Sequence, residues 1–220
     1  MSSQNNFMRK SSQKSSAAGS VPGEAPPARA RRQRGHARVE VLLGAAAEVF
    51  AEKGYDAATM TAIAERAASS IGSLYQFFPT KQGVAQALIT QQAQALRERL
   101  DVLAQASPGW TLAELAHRLA PALIEFRAAH PSFARLVDTP GAPPELVEAV
   151  RLQVRSQVQE VLAPHAGGLG KARLGAVAVA VQQLMKSAVA VNTEGGPGVR
   201  AALAELKEML RVYLENVLSK

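Results

Sequence analysis

The chain has 220 residues, enough for one large domain or two smaller ones, and its 47% hydrophobic content supports a packed core. Aromatic residues make up only 5%, which favours packed helices over sheet, and the lack of cysteine excludes disulfides, thiolate metal sites and cysteine nucleophiles. The formal charge of +7 is concentrated: residues 1 to 38 hold eight Lys or Arg and one acidic residue, so the whole excess lies at the N-terminal end.

Residues 1 to 35 are rich in Ser, Gln, Pro, Ala and Arg without helical period, and are expected to form a disordered basic arm. No run before residue 39 is apolar enough for a signal-peptide core. Arg29, Arg31, Arg32, Arg34 and Arg38 abut the next segment, and arginines on a flexible arm can follow phosphates or enter a minor groove. From Arg38 to Lys53, the residues Val39, Leu42, Leu43, Ala46, Val49 and Phe50 recur at steps of three and four, the pattern of an amphipathic helix. Gly54 ends that helix, with Phe50 and Tyr55 as core anchors.

The next stretch, TMTAIAERAASSIGSLYQFFPTK from Thr59 to Lys81, has the outline of two short helices joined by a tight turn. Thr59 can cap a first helix whose Ile63, Ala64 and Ala67 share one face, and Ser70 can cap a second. Leu74, Phe77 and Phe78 form the inward stripe of that second helix, and Pro79 stops it. Ile71, Gly72, Ser73, Tyr75 and Gln76 remain for the opposite face. Small and hydrogen-bonding side chains there permit close approach to a major groove.

From about Arg38, through AAAEVFAEKGYDAATMTAIAERA to SIGSLYQFFPTK, the sequence resembles the TetR-type transcriptional regulators. The resemblance implies an all-α chain, with a three-helix helix-turn-helix DNA-binding domain over residues 36–83 and a helical effector-binding and dimerisation bundle over 84–220. It implies a recognition helix from about Ile71 to Phe78, with Ile71, Gly72, Ser73 and Gln76 facing bases. Thr59, Ser70, Tyr75 and Lys81 would fix the DNA backbone, joined by Arg34 and Arg38. Two positions depart from the family pattern. Ala68-Ser69 stands where Gly-Val is usual, so the turn loses a residue that tolerates positive φ. Phe77 stands where a phosphate-contacting Tyr or His is common.

Thr80 and Lys81 open a long helix to about Ala104, with Val84, Leu88, Ala95, Leu96, Leu100 and Leu103 as its apolar set. Further helices are expected from about Thr111 to Ala129, over Ser132 to Val137, from Pro144 to Leu162, from Lys171 to Val191 and from Val199 to Leu218, with Pro121 a candidate kink. The stretch Ala172 to Val191 is broken by Gln182, Gln183 and Lys186, too polar for a membrane span. The last two helices carry more apolar surface than one pair can bury. Small residues Ala172, Gly175, Ala176 and Ala180 would admit another helix. Either the two helices complete the monomer core or they form a two-fold, four-helix dimer interface, and the resemblance implies a homodimer through them.

Glu114 and His117 share a helix face at the spacing of a di-iron motif, but that site needs two such pairs and two further glutamates, so no metal is expected. No Ser/His/Asp order, nucleophile elbow or phosphate-cradling glycine loop is present, and neither catalysis nor a cofactor is expected. The resemblance implies an effector pocket inside the bundle, for which Trp110, His117, Phe126, Phe133 and Met185 are the candidate lining. The reading is a cytoplasmic, homodimeric repressor that leaves a palindromic double-stranded DNA operator when a small molecule binds. One rival is a helical binding or enzymatic bundle that has lost specific DNA binding; another is a non-specific DNA binder driven by the arm.

Overall fold

The computed structural model describes residues 28–138 and 141–219, with side chains from residue 32 onward. Most of the expected disordered arm therefore lies outside the described residues. The part within them is helical: α1 runs Ala28–Ala57, so Arg34 sits on a helix and not on a flexible arm. Gly54, with φ of 76°, interrupts α1 where the sequence placed its end, and Tyr55 folds back so that its ring stacks on Phe50 at 6.0 Å.

Helices α2 (Met60–Arg66) and α3 (Ile71–Phe77) follow, and with α1 they form a small head. Leu42, Ala46, Phe50, Ile63 and Leu74 are fully buried in its centre. Each is an apolar residue at the inward position of its own helix, so three short amphipathic stripes close on one another. Helix α4 (Lys81–Ala106) starts in the head and continues into a second bundle. That bundle is completed by α5 (Leu112–Ala129), α6 (Pro131–Asp138), α7 (Pro144–Leu162), α8 (Lys171–Glu194) and α9 (Val199–Leu218). No strand is present among the described residues.

The helix starts are chemically specified. Thr59, Ser70, Thr80 and Thr111 each accept a hydrogen bond from a first-turn amide of the helix they precede. Thr111 and Glu114 form a full capping box, the Glu114 carboxylate accepting from the Thr111 amide at 2.8 Å. That use accounts for Glu114, and no group of three or more potential metal ligands occurs among the described residues. Helix α5 continues through Pro121. Two single 3-10 turns, Ser107–Gly109 and Ala163–His165, are tied together where the His165 ring meets the Ser107 carbonyl at 2.9 Å.

Helix α6 lies chiefly on α1, α4 lies chiefly on α7, and α9 covers α5 and α8. By length and mean hydropathy (1.5) α8 could cross a membrane, contrary to the reading from its polar residues. It packs against α5, α7 and α9, and its Lys186 pairs with Asp138 at 3.2 Å, as befits a helix of the bundle. Gly175 answers to α7, since a Cβ there would meet the Gln159 amide at 3.3 Å, whereas Ala172 and Ala176 are exposed.

Candidate nucleic-acid interface

The turn between α2 and α3 has Schellman geometry: the Ser69 amide donates to the Ala64 carbonyl at 2.9 Å and the Ala68 amide to the Glu65 carbonyl at 3.0 Å. This motif demands a left-handed residue, and Ala68 supplies it with φ of 47°. The turn is thus kept without the usual glycine, at the steric cost of a Cβ in that region. Arg38 braces it from α1, its Nη2 donating to Ser69 Oγ at 2.7 Å. Arg34 lies one turn earlier, on the same side of α1 as Arg38, and is exposed.

Ser70 Oγ accepts from the Ser73 amide at 3.2 Å, which fixes the start of α3. Leu74 anchors the helix inward, and Phe78 closes it. Ile71 (40% exposed), Gly72, Tyr75 (48%) and Gln76 stand outward together, with Ser73 half-buried at their edge. Phe77 does not join the inward stripe as expected: it is 37% exposed. Leu74 and Phe78 are four residues apart and fill the space against α1 and α2, which leaves Phe77, a further 100° round, at the rim.

Lys81 departs from the role expected of it. Its Nζ donates to the carbonyls of Tyr55 at 2.8 Å, Asp56 at 3.1 Å and Ala58 at 3.0 Å, and sits 4.5 Å from the centre of the Tyr55 ring. All three ammonium hydrogens are used. Lys81 therefore fastens the first turn of α4 to the last turn of α1 and offers no donor outward. Arg66 is also engaged: it makes a bidentate pair with Glu52 at 2.7 and 2.8 Å and reaches Glu48 at 2.9 Å. The Arg66 hydrogen bond holds the Glu52 carboxyl below the usual carboxylate range. Those pairs set one cation against two of the carboxylates of the head. Thr59 Oγ1 is an exposed cap, 3.1 Å from the Ala62 amide.

The five residues expected to line an effector pocket do not converge. Phe133 and Met185 border a cavity of about 40 Å³ at the centre of the second bundle. Phe126 is buried beside it, with the His130 ring 4.1 Å away and the Phe133 ring edge-on at 5.7 Å. His117 instead borders a surface groove between α5 and α9, and Trp110 lies under the Arg118 guanidinium at 4.9 Å at the start of α5. The periodicity of α5 could not show this, because Trp110 precedes the helix and His117 falls on its outer face.

Two family models match the chain: bacterial regulatory proteins, tetR family, over residues 42–88, and the tetracyclin repressor-like C-terminal domain over residues 111–214. The uncharacterized HTH-type transcriptional regulator YhgD of Bacillus subtilis is 30% identical over 93 residues, which are 42% of this chain and 48% of that protein. The HTH-type transcriptional regulator UidR of Escherichia coli is 44% identical over 50 residues, 23% of this chain and 26% of UidR. The chain thus spans half or less of the length of these curated relatives. Among solved structures, the transcriptional regulator FadR from Bacillus subtilis in complex with stearoyl-CoA superposes with a TM-score of 0.63 at 19% identity, covering 78% of this chain and 96% of that one. A TetR-family regulator from Streptomyces coelicolor gives a TM-score of 0.58 at 25% identity, over 82% of this chain and 99% of the other. The matched segments coincide with the head and the second bundle, and the chain belongs to the tetR family of bacterial regulatory proteins.

Proposed function

We propose that the chain acts as a homodimeric transcriptional repressor in the cytoplasm, with no catalytic role, and that a small molecule releases it from a palindromic operator. The observation that carries this reading is the outward face of α3. It presents Ile71, Tyr75 and Gln76 to solvent while Leu74 roots the helix in the head. A short helix held this way can enter a major groove, Gly72 and Ser73 allowing close approach and Gln76 offering both donor and acceptor to a base edge. Arg34 and Arg38 flank it as phosphate contacts, with Thr59, Ser70 and Tyr75 along the adjoining strand.

One such helix reads few base pairs, so two copies are required for useful specificity. Helices α8 and α9 supply the pairing surface: Met209 is 56% exposed on α9, beside half-buried Leu206 and Tyr213. The rival reading, a bundle that has lost DNA binding, is weakened at the turn, where Ala68 holds the required geometry.

Replacing Tyr75 and Gln76 together with Ala tests the assignment. Both side chains are exposed, so the fold and the dimer should persist while sequence-specific binding falls by about a hundredfold or more. Retention of site preference in the double variant would remove α3 from the reading role.

A further inference from the structure

Beside the small central cavity lies a second and larger one, of about 360 Å³, walled by α5, the end of α6, α7 and α8. Four cations face it, Arg127, Arg151, Arg155 and Lys186, against two carboxylates, Asp138 and Glu148. Arg127 and Lys186 both pair with Asp138, while Arg151 donates to the Val137 carbonyl at 2.8 Å and lies 3.9 Å from Glu148. Arg155 has no such partner among the described residues, and its Nε is shut away from solvent. The Nε of Arg127 is buried and unmatched too. Buried guanidinium nitrogens without acceptors are costly, and the lining as a whole carries an excess of positive charge.

The two cavities share Arg127, Val137, Arg151 and Gln182 as walls. Behind the cationic part, the smaller space is lined by Leu96, Leu123, Phe133, Val154 and Met185, all buried and apolar. Cations at the mouth and hydrocarbon behind define a complementary ligand: an oxyanion head on an apolar tail. Guanidinium groups recognise carboxylate and phosphate through paired hydrogen bonds, and a tail entering the apolar end would be drawn there by burial.

Resting on the repressor reading given above, we infer that the effector is an anionic amphiphile whose head group binds Arg155, Arg151 and Arg127 and whose short apolar tail enters the small cavity beside Phe133 and Met185. The head competes with Asp138 for Arg127 and Lys186. Asp138 is the last residue of α6, and the same helix carries Arg135, whose Nη1 donates to the carbonyls of Ala51 at 2.7 Å and Glu52 at 3.2 Å in α1. Just beyond α6, the backbone at Gly141 runs so close to Tyr55 that a Cβ would come within 2.7 Å of its ring. Tyr55 in turn holds Lys81 at the start of α4. The end of α6 is thus connected to both helices that orient the head.

Calorimetric titration of the full chain, without DNA, tests the site with four probes whose tails match the small apolar cavity: butanoate, butyl phosphate, butanol and inorganic phosphate. Butanoate or butyl phosphate should bind at least about tenfold more tightly than butanol or inorganic phosphate, and the tighter of the two identifies the head. Arg155→Gln should weaken that binding by about tenfold, leave butanol unaffected and leave the ligand-free protein no less stable to heat, since the side chain has no partner to lose. Equal binding of butanol and butanoate, absence of binding by both anionic amphiphiles, or an unchanged affinity in Arg155→Gln would overturn the inference. Because no DNA is present, failure here leaves the operator-binding reading standing, and failure to find an operator leaves these affinities standing.

Discussion

Ala68 shows how a single residue can hold a strained position when its neighbours demand it. The hydrogen bonds of the turn place it at φ 47°, where a Cβ crowds the backbone and glycine would not. Ala68→Gly should therefore raise stability by about 1 kcal/mol, read as a higher urea midpoint at unchanged m-value. A lower midpoint would mean that the left-handed turn is not the native one. Lys81 carries the opposite lesson. Its ammonium satisfies three carbonyls at the end of α1, so Lys81→Ala should cost about 2 kcal/mol in the same measurement, while the salt dependence of DNA binding keeps its slope. A slope reduced by about one unit at full stability would return Lys81 to the phosphate-contacting set. The sequence places Lys81 correctly at the first turn of α4, but its partners lie 23 to 26 positions earlier, beyond the reach of local pattern.

At the scale of the helix, most boundaries were legible because capping chemistry is local. Thr59, Ser70, Thr80 and Thr111 each lie directly before the helix they cap, and Gly54 breaks α1 at the expected point. The start of α1 was not legible. Residues 28–35 have no apolar stripe, and helix there extends an amphipathic segment that nucleates further along. The role of α6 was equally hidden, since eight residues of sequence do not reveal that they bridge α1 and the cavity wall. Charge pairing between helices adds a pH dependence. Arg66 lowers the Glu52 carboxyl through its hydrogen bond, and the Thr111 amide does the same for Glu114. A carboxylate held lower in the folded state than in the unfolded chain adds stability above its unfolded value, and the increment vanishes as pH falls through the folded value. Melting temperatures followed from about pH 6 to about pH 3 should thus fall more steeply for the parent than for Glu52→Gln, the two curves meeting at the acid end. Parallel curves would show that the pair between α1 and α2 contributes nothing.

Over the whole molecule, the head and the second bundle are joined by α4 along one side and by α6 seated on α1 along another. The candidate site was partly legible: the outward face of α3 follows from its period, and all five residues assigned to it are exposed or half-buried. Phe77 was misplaced because a seven-residue helix has room for two inward anchors, and Leu74 with Phe78 fills that room. The cationic cavity was not legible at all. Its residues come from four helices, and Arg127, Arg151, Arg155 and Lys186 each read in isolation as ordinary surface charge.

If two copies of α3, carried on one dimer, read one duplex, selection of bound sequences from a random double-stranded DNA pool should yield a two-fold symmetric consensus with half-sites about one helical turn apart, roughly 34 Å. Recovery of no preferred sequence, or of a single unsymmetric site, would refute the paired reading by α3.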